Sequence, residues 1–525
     1  MRDQGDGLIS GGYDHFQGQR AGNPDPGSRI PRREFLQAGA VASMAIAAAR
    51  GWPGSRAAGA EKGKRGDAPN MHAGAQDLVV QPVLMYQIPQ RQASRSWRNW
   101  GSLQTEEGVQ EEAARIGREL KELETSAGFS VRMLPLARVN AVEQVETLKK
   151  GKADAVLVYA AGGWTDLLKA LAGIAPWMIV FVRYRSGPYY LWHEIVDSRF
   201  LRNHTDQVQQ PGVGLRDVVV DDQSEILWRL RALRGLKNTL GRRIVCVGGP
   251  GGWACPEAPD RARQRFQLDM LTLPIPEVNS MIEAARKNAE LMAQCQAEAK
   301  QYIGAADVKL ATTEHAVAEA FLLRKLFHDV MAKQGAHAIT TKGCMASYAG
   351  IMPCLTLTLI NDAGYMAYCE SDFVNIPAGI LAHFISGQPT YFCNPTFPHH
   401  GRMMFAHCTA PRRMDGRNLE PVELVTHYES DHGAATHVLF RKGQLVTVLK
   451  PDFEAKNWLA VTGIIVDTPF VDTCRAQVEV ALNADTQEVI RNLRGFHCTL
   501  LYGDHTKEVA YAANKVGIDV QVLPG

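Results

Sequence analysis

From Asp77 onward the chain alternates between two hydrophobic periods. Asp77 to Tyr86, Val131 to Pro135, Ala153 to Ala160 and Trp177 to Val182 are apolar runs of strand length. Between them, Thr105 to Ser126, Ala141 to Lys150 and Trp164 to Gly173 repeat their apolar positions at helical spacing. Near-continuous apolar strands separated by helices predict a parallel, doubly wound sheet, because such strands are covered on both faces. Leu201 to Gln210 is polar and irregular, and Gly212 to Arg216 reads as a crossover. A helix over Gln223 to Thr239, a strand over Arg242 to Val247 and long helices over Val278 to Ala299 and Thr313 to Gln334 predict a second α/β domain starting near Gly241.

Two glycine-rich turns follow predicted strands. Gly162-Gly163 reads as a tight turn. In Gly248-Gly249-Pro250-Gly251-Gly252-Trp253, Pro250 and Trp253 interrupt any dinucleotide fingerprint, so a nicotinamide cofactor is excluded and the loop is expected to reach toward a crevice.

The stretch Thr340 to Phe397 concentrates the candidate chemistry. The apolar run Pro353 to Ile360 reads as a strand halted by Asn361-Asp362 and Ala363-Gly364. A second strand over Tyr365 to Cys369 delivers Glu370 and Asp372 to its carboxyl end, where ligands bind in α/β sheets, ahead of a helix over Ile376 to Ile385. Asp372 has a competing reading as a cap for that helix. After Asn394 the chain turns β-like and rich in histidine. The runs Met403 to Cys408, Val422 to Glu429, Ala434 to Lys442 and Gln444 to Val448 predict an antiparallel sheet or small barrel. His399 and His400 precede a glycine and read as turn residues, and Arg412 and Arg413 offer cations for an anionic group or form a surface pair.

Composition adds limits. The 525 residues allow two or three domains. A formal charge of +2 gives no reason to expect nucleic acid or an anionic membrane as partner. The first 60 residues differ from the rest. Up to Gly27 they lack any hydrophobic period and read as disordered. Arg32-Arg33-Glu34-Phe35-Leu36 then leads into the apolar Ala38 to Ala49, and Ala58-Gly59-Ala60 has the A-x-A form of a cleavage site. This predicts a twin-arginine signal, a periplasmic or extracellular mature chain with no stable membrane span, and a linker over 61–76. The competing reading is a short buried helix from Arg33. The ten cysteines include no C-x-x-C pair, so disulfides are permitted but not required, and buried thiols are expected.

The linked series PCLTLTLINDAGYMAYCESD (Pro353 to Asp372) and SGQPTYFCNPT (Ser386 to Thr396) resembles the L-fucose isomerase and L-arabinose isomerase family, in particular its fucose isomerase-like branch. That branch reads "ND-G", "CEGD", "SG-P" and "NP" in the same order. His407 falls in a matching "AHCT" element, and Phe496 to His505 resembles the closing "HH---GD" element. The resemblance implies two Rossmann-like doubly wound domains (77–240 and 241–364) and a C-terminal mixed α/β, β-barrel-like domain (365–525). It also implies a homo-oligomer. The implied activity is aldose–ketose isomerisation of a deoxysugar or pentose through an enediol, with a divalent metal, Mn²⁺ being expected of an oxygen-rich site. The resemblance assigns catalysis to Asp372 and Glu370, the metal to Asp372 and His497 with Glu370 one layer out, and substrate contacts to His407 and Asn394. Arg412 is added as a substrate contact because its guanidinium suits an anionic group.

One departure stands out. Where the family carries a glutamate in a "C-W-P-E" element, this chain has Cys344-Met345-Ala346-Ser347, and a serine hydroxyl is a poor metal ligand and no base at neutral pH. Three explanations stay open: a shifted alignment, replacement by His427, Glu429 or His432, or lost isomerase chemistry. The competing functions are therefore a non-isomerising carbohydrate-binding protein and a metal-dependent glycan lyase or hydrolase.

Overall fold

A computed structural model describes residues 71, 73–190, 213–343 and 347–524. The expected disordered leader, the expected twin-arginine signal, the stretch Leu201 to Gln210 and the Cys344 to Ala346 part of the departing element lie outside the described residues.

The first sheet is parallel throughout. It runs β2 (Val131–Met133), β1 (Leu78–Met85), β4 (Ala155–Ala160), β5 (Trp177–Val182) and β6 (Val218–Val220), with β3 (Ala137–Val139) also pairing β1. β4 is buried at every position, as a strand covered on both faces must be. The helix Glu106–Ser126 starts where Thr105 accepts a hydrogen bond from the Gly108 N–H and buries Val109, Ile116, Leu120 and Leu123.

The second sheet is also parallel, in the order β11 (Met366–Tyr368), β10 (Ala338–Thr341), β7 (Arg243–Val247), β8 (Asp269–Leu273). The expected long helix over Val278 to Ala299 is two helices, Ile275–Arg286 and Ala289–Ile303, because Asn288 turns outward and caps the second by accepting from the Leu291 N–H. The expected helix over Ala141 to Lys150 is likewise broken into short 3₁₀ and α turns.

The predicted strand Pro353 to Ile360 is a helix, Cys354–Asp362, buried at every residue. Its LTLTL alternation imitates a strand, but the helix is enclosed on all sides and shows no amphipathic period. Thr356 and Thr358 donate their hydroxyls to the carbonyls of Ala320 and Ala410, at 2.9 and 3.0 Å, so their polarity is satisfied inside the core. Asn361 then pins the chain into β11, accepting from the Ala367 N–H and donating to its carbonyl. Strand β11 therefore belongs to the second sheet, although it lies beyond residue 364. The helix Ile376–Ser386 packs against Gln223–Thr239, where Gly235 permits the approach: a Cβ there would sit 2.3 Å from Ile385 Cγ1.

The chain closes in an antiparallel barrel. β16 (Leu445–Pro451), β19 (Cys498–Tyr502), β12 (Tyr391–Pro395), β13 (Arg402–His407), β18 (Ala476–Leu482) and β17 (Asn457–Asp467) form a ring closed by β16 on β17, with β20 (Asp519–Val522) parallel to β17 outside it. Of the predicted short strands after residue 420, only the last enters the barrel. β14 (Val422–Val425) instead lies between β15 (Ala435–Val438), antiparallel to it, and β9 (Val308–Leu310), parallel to it, in a small mixed sheet. No helix among the described residues is long and apolar enough to cross a membrane.

Candidate functional site

The carboxyl ends of β7, β10 and β11 open on one side, and the loops leaving them meet there. Two backbone hydrogen bonds tie the glycine loop after β7 to the loop after β11: Gly251 N–H to Ser371 O at 3.1 Å, and Phe373 N–H to Gly251 O at 3.0 Å. Glu370 and Ser371 both hold left-handed backbones, with φ of +66° and +50°. Two consecutive non-glycine residues in that region store strain that the surroundings must override, and the Ser371 N–H, donated to Thr340 Oγ1, is one of the restraints. The strained turn directs Glu370 toward a cavity and Asp372 into the protein.

Asp372 is buried. Its Oδ2 lies 2.7 Å from His497 Nδ1 and its Oδ1 accepts from the Val374 N–H. The side chain does not cap the following helix, whose N-cap position is Asn375; only the Asp372 carbonyl accepts from the Ile376 N–H. His497, delivered just ahead of β19, has its other nitrogen, Nε2, 3.1 Å from Glu370 Oε2. His407, the last residue of β13, places Nε2 3.5 Å from Glu370 Oε1. Burial pushes the Glu370 carboxyl up, but hydrogen bonds and charge from the two imidazoles outweigh it and hold the group well below the usual carboxylate range. The result is a chain of contacts, Asp372–His497–Glu370–His407, assembled from one loop and two barrel strands.

Aromatic rings fix the imidazoles. Phe392 packs on His497 at 4.4 Å and edge-on to His407 at 5.4 Å, and Phe496 meets His497 edge-on at 4.6 Å. Trp253, from the glycine loop, stacks flat on Phe496 with centroids 3.9 Å apart. Buried Lys450 donates its Nζ to the Phe496 carbonyl at 2.6 Å, and burial lowers its pKa.

The cavity beneath Trp253 has a volume of about 650 Å³. Its wall includes Glu370, Asn394, Lys342, Glu429, Cys474 and Phe496. Asn394 Oδ1 is shielded from solvent and has no hydrogen-bond partner. Cys369, Glu370 and His407 bring a thiol, a carboxylate and an imidazole within 4.8 Å of one another, a set able to hold a metal ion.

The geometry redistributes the expected roles. Glu370, placed one layer out by the resemblance, is the acid facing the cavity. Asp372, expected on the metal, stands behind His497 and holds its ring. His407 and Asn394 are at the site. Arg412 is not: it is buried elsewhere, ion-paired to Asp307 at 2.6 Å, donating to the Glu420 carbonyl at 2.8 Å and lying over the Tyr302 ring. It serves as a tie between β9 and the loop before β14 because a buried guanidinium needs several acceptors at once. Ser347 is exposed and absent from the cavity wall. Glu429 is on that wall, whereas His427 is buried with Nδ1 3.0 Å from Ser430 Oγ.

Reading the sequence missed Cys369 as a donor and the Trp253–Phe496 wall. The first lay inside the CESD motif itself; the second had no local signal, since its residues are 243 positions apart. Every described cysteine is a thiol, and all but Cys474 are buried. No protein-family model matches the chain, and no curated protein matches it.

Proposed function

We propose that the chain is a metal-dependent aldose–ketose isomerase-like protein acting on a sugar. The observation that supports this most is the meeting of two carboxylates, Glu370 and Glu429, with Asn394 and Lys342 around one cavity at the carboxyl edge of a parallel sheet. Moving a proton between adjacent carbons needs a carboxylate apart from the group that binds the oxygens, and Glu429 is a second carboxylate on the cavity wall that could serve in place of the acid missing at Ser347.

Cys369, Glu370 and His407 are the residues that would hold a divalent ion, whose chemistry is to polarise the neighbouring carbonyl and hydroxyl oxygens of the sugar. A donor set with a thiolate and an imidazole fits a borderline ion such as Zn²⁺ better than the Mn²⁺ expected from an oxygen-rich site. Glu370, held ionised, orients donors at the cavity floor. Asp372, against His497 Nδ1, fixes the ring whose Nε2 lies beside Glu370, and so sets how the imidazole meets that carboxylate. Glu429, exposed at the rim, takes the proton from the hydroxyl-bearing carbon and returns it to the former carbonyl carbon, while the hydroxyl proton passes to the former carbonyl oxygen. Trp253 and Phe496 cover the apolar face of the sugar.

The test is to incubate the purified full chain with L-fucose or L-arabinose in D₂O with Zn²⁺, Mn²⁺ or Co²⁺ and follow the sugar by NMR. Ketose formation with deuterium at the carbon next to the carbonyl is expected. Tight sugar binding without exchange under any ion points to the second reading, a carbohydrate-binding protein, which the exposed Ser347 favours. Export by the twin-arginine route and homo-oligomerisation belong to the same proposal, and amino-terminal sequencing of secreted protein and light scattering test them.

A further inference from the structure

The cavity over Glu370 is not the only recess at this edge of the barrel. Phe496 also lines a second cavity, of about 840 Å³, whose wall includes Pro395, Phe397, Phe453 and Arg494. The end of β12 passes from one to the other: Asn394 lines the first and Pro395 the second. Each volume falls within the roughly 300–1,000 Å³ that holds an entire small ligand, so the pair offers more room than one sugar ring uses.

Three large aromatic side chains stand exposed around the two openings: Trp253 at 57%, Phe397 at 68% and Phe453 at 37%. Aromatic faces in water next to a polar cavity suit ligands with alternating apolar and hydroxylated faces, which is the surface of a pyranose or furanose ring. The polar complement is present in both cavities. Glu370 and Asn394 line the first, and Asp452, Asn457 and Arg494 line the second, side chains of the kind that pair with sugar hydroxyls. The wall of the second cavity carries two acids, Asp452 and Glu454, against two cations, Lys450 and Arg494, a balance that suits an uncharged ligand.

The partition between the cavities is rigid. Gly495 has φ of +51°, and a Cβ there would lie 2.1 Å from the Pro451 carbonyl, so the Arg494 to Phe496 turn is pressed against β16. Lys450 of the same strand donates its Nζ to the Phe496 carbonyl. A fixed ring between two recesses separates two sugar positions without closing either.

We propose that the second cavity is a glycosyl subsite, so that the substrate is a short oligosaccharide whose reducing end enters the Glu370 cavity and whose next ring lies beyond Phe496 against Phe397 and Phe453. This rests on the sugar reading of the Glu370 site.

The experiment is calorimetric titration of the full chain with L-arabinose, arabinobiose and arabinotriose, alongside L-fucose and a fucosyl disaccharide with fucose at its reducing end. The expected result is affinity at least about tenfold higher for the disaccharide than for its monosaccharide. That gain should disappear in Phe397→Ala and in Phe453→Ala while monosaccharide affinity stays unchanged, which also shows that the variants are folded. Monosaccharide binding with no gain on lengthening overturns the subsite and leaves the sugar reading intact. A gain that survives both substitutions overturns the subsite as well. Binding of none of these sugars overturns the sugar reading and the subsite together.

Discussion

At the carboxyl edge of the first sheet, Arg183 follows β5 directly and is fully buried. Its Nε meets Glu112 and its Nη2 meets Glu119, both at 2.6 Å, Tyr190 donates to the same Glu112, and the guanidinium lies over Phe181. Nearby, Asp221 accepts backbone N–H groups from Tyr184, Arg185 and Ser186; burial raises its carboxyl, but the Ser186 hydroxyl and these N–H groups hold it well below the ordinary range. At the carboxyl edge of the second sheet, Glu370 also has two partners, yet both are imidazoles, its backbone is strained and it faces a cavity. The two edges share a topology and both gather charge. In the first, the described charges satisfy one another inside the protein; in the second, Glu370 lies on the wall of a cavity. Location at a sheet edge therefore nominates a site, and the closure of its polar network decides whether it can act.

The comparison breaks most sharply with Glu370→Gln, which removes the negative charge from the cavity while keeping its shape. Turnover is expected to fall about 10³-fold or more and metal retention to drop, with little change in melting temperature; kinetics and elemental analysis check this. Arg183→Met should do the reverse. It leaves buried Glu112 without its cation, although Glu119 keeps Arg115 and Gln223, lowering the unfolding free energy by about 3–5 kcal/mol in urea titration, while activity per folded molecule is retained.

A third buried acid, Asp362, lies outside both edges and sharpens the distinction through pH. Burial pushes its carboxyl up to about 6 against the lowering effect of the Arg413 and Arg412 N–H groups and charges. The folded chain therefore keeps a proton that the unfolded chain releases near 3.8. Stability from this group is complete below about pH 4 and is lost as pH rises through about 6. Asp362→Asn should flatten the melting temperature across pH 4 to 7, removing a variation of up to about 3 kcal/mol. The smallest effect is expected for Asp372→Asn, which keeps the contact to His497 but weakens its orientation: about 10- to 100-fold in turnover, with sugar affinity preserved. A loss as large as that of Glu370→Gln would place Asp372 on the reacting groups instead of behind them.

Local pattern predicted the parallel sheets, because buried strands and amphipathic helices carry their environment in their own periodicity. It also placed Glu370 and Asp372 at a strand end, marked Asn394, His407 and His497 through the motif resemblance, and anticipated a barrel. It misread Cys354–Asp362, where burial on every side erases the helical period and the threonines find carbonyls inside the core. It joined two helices across Asn288, whose capping role is visible only once the chain turns.

What the sequence determined by itself was the parallel α/β character of the first half and the placing of Glu370 and Asp372 at a strand end, since both follow from side-chain type and short-range spacing. Tertiary structure alone decided which acid faces the cavity. Glu370 and Asp372 are two positions apart and chemically alike; the left-handed turn at Glu370 and Ser371, locked by Gly251 from another strand, sends one outward and the other inward to His497. It also decided that Arg412 is a structural tie, that Glu429 reaches the cavity and that Trp253 meets Phe496. Each of these depends on contacts between segments far apart in the chain, which no local spacing encodes.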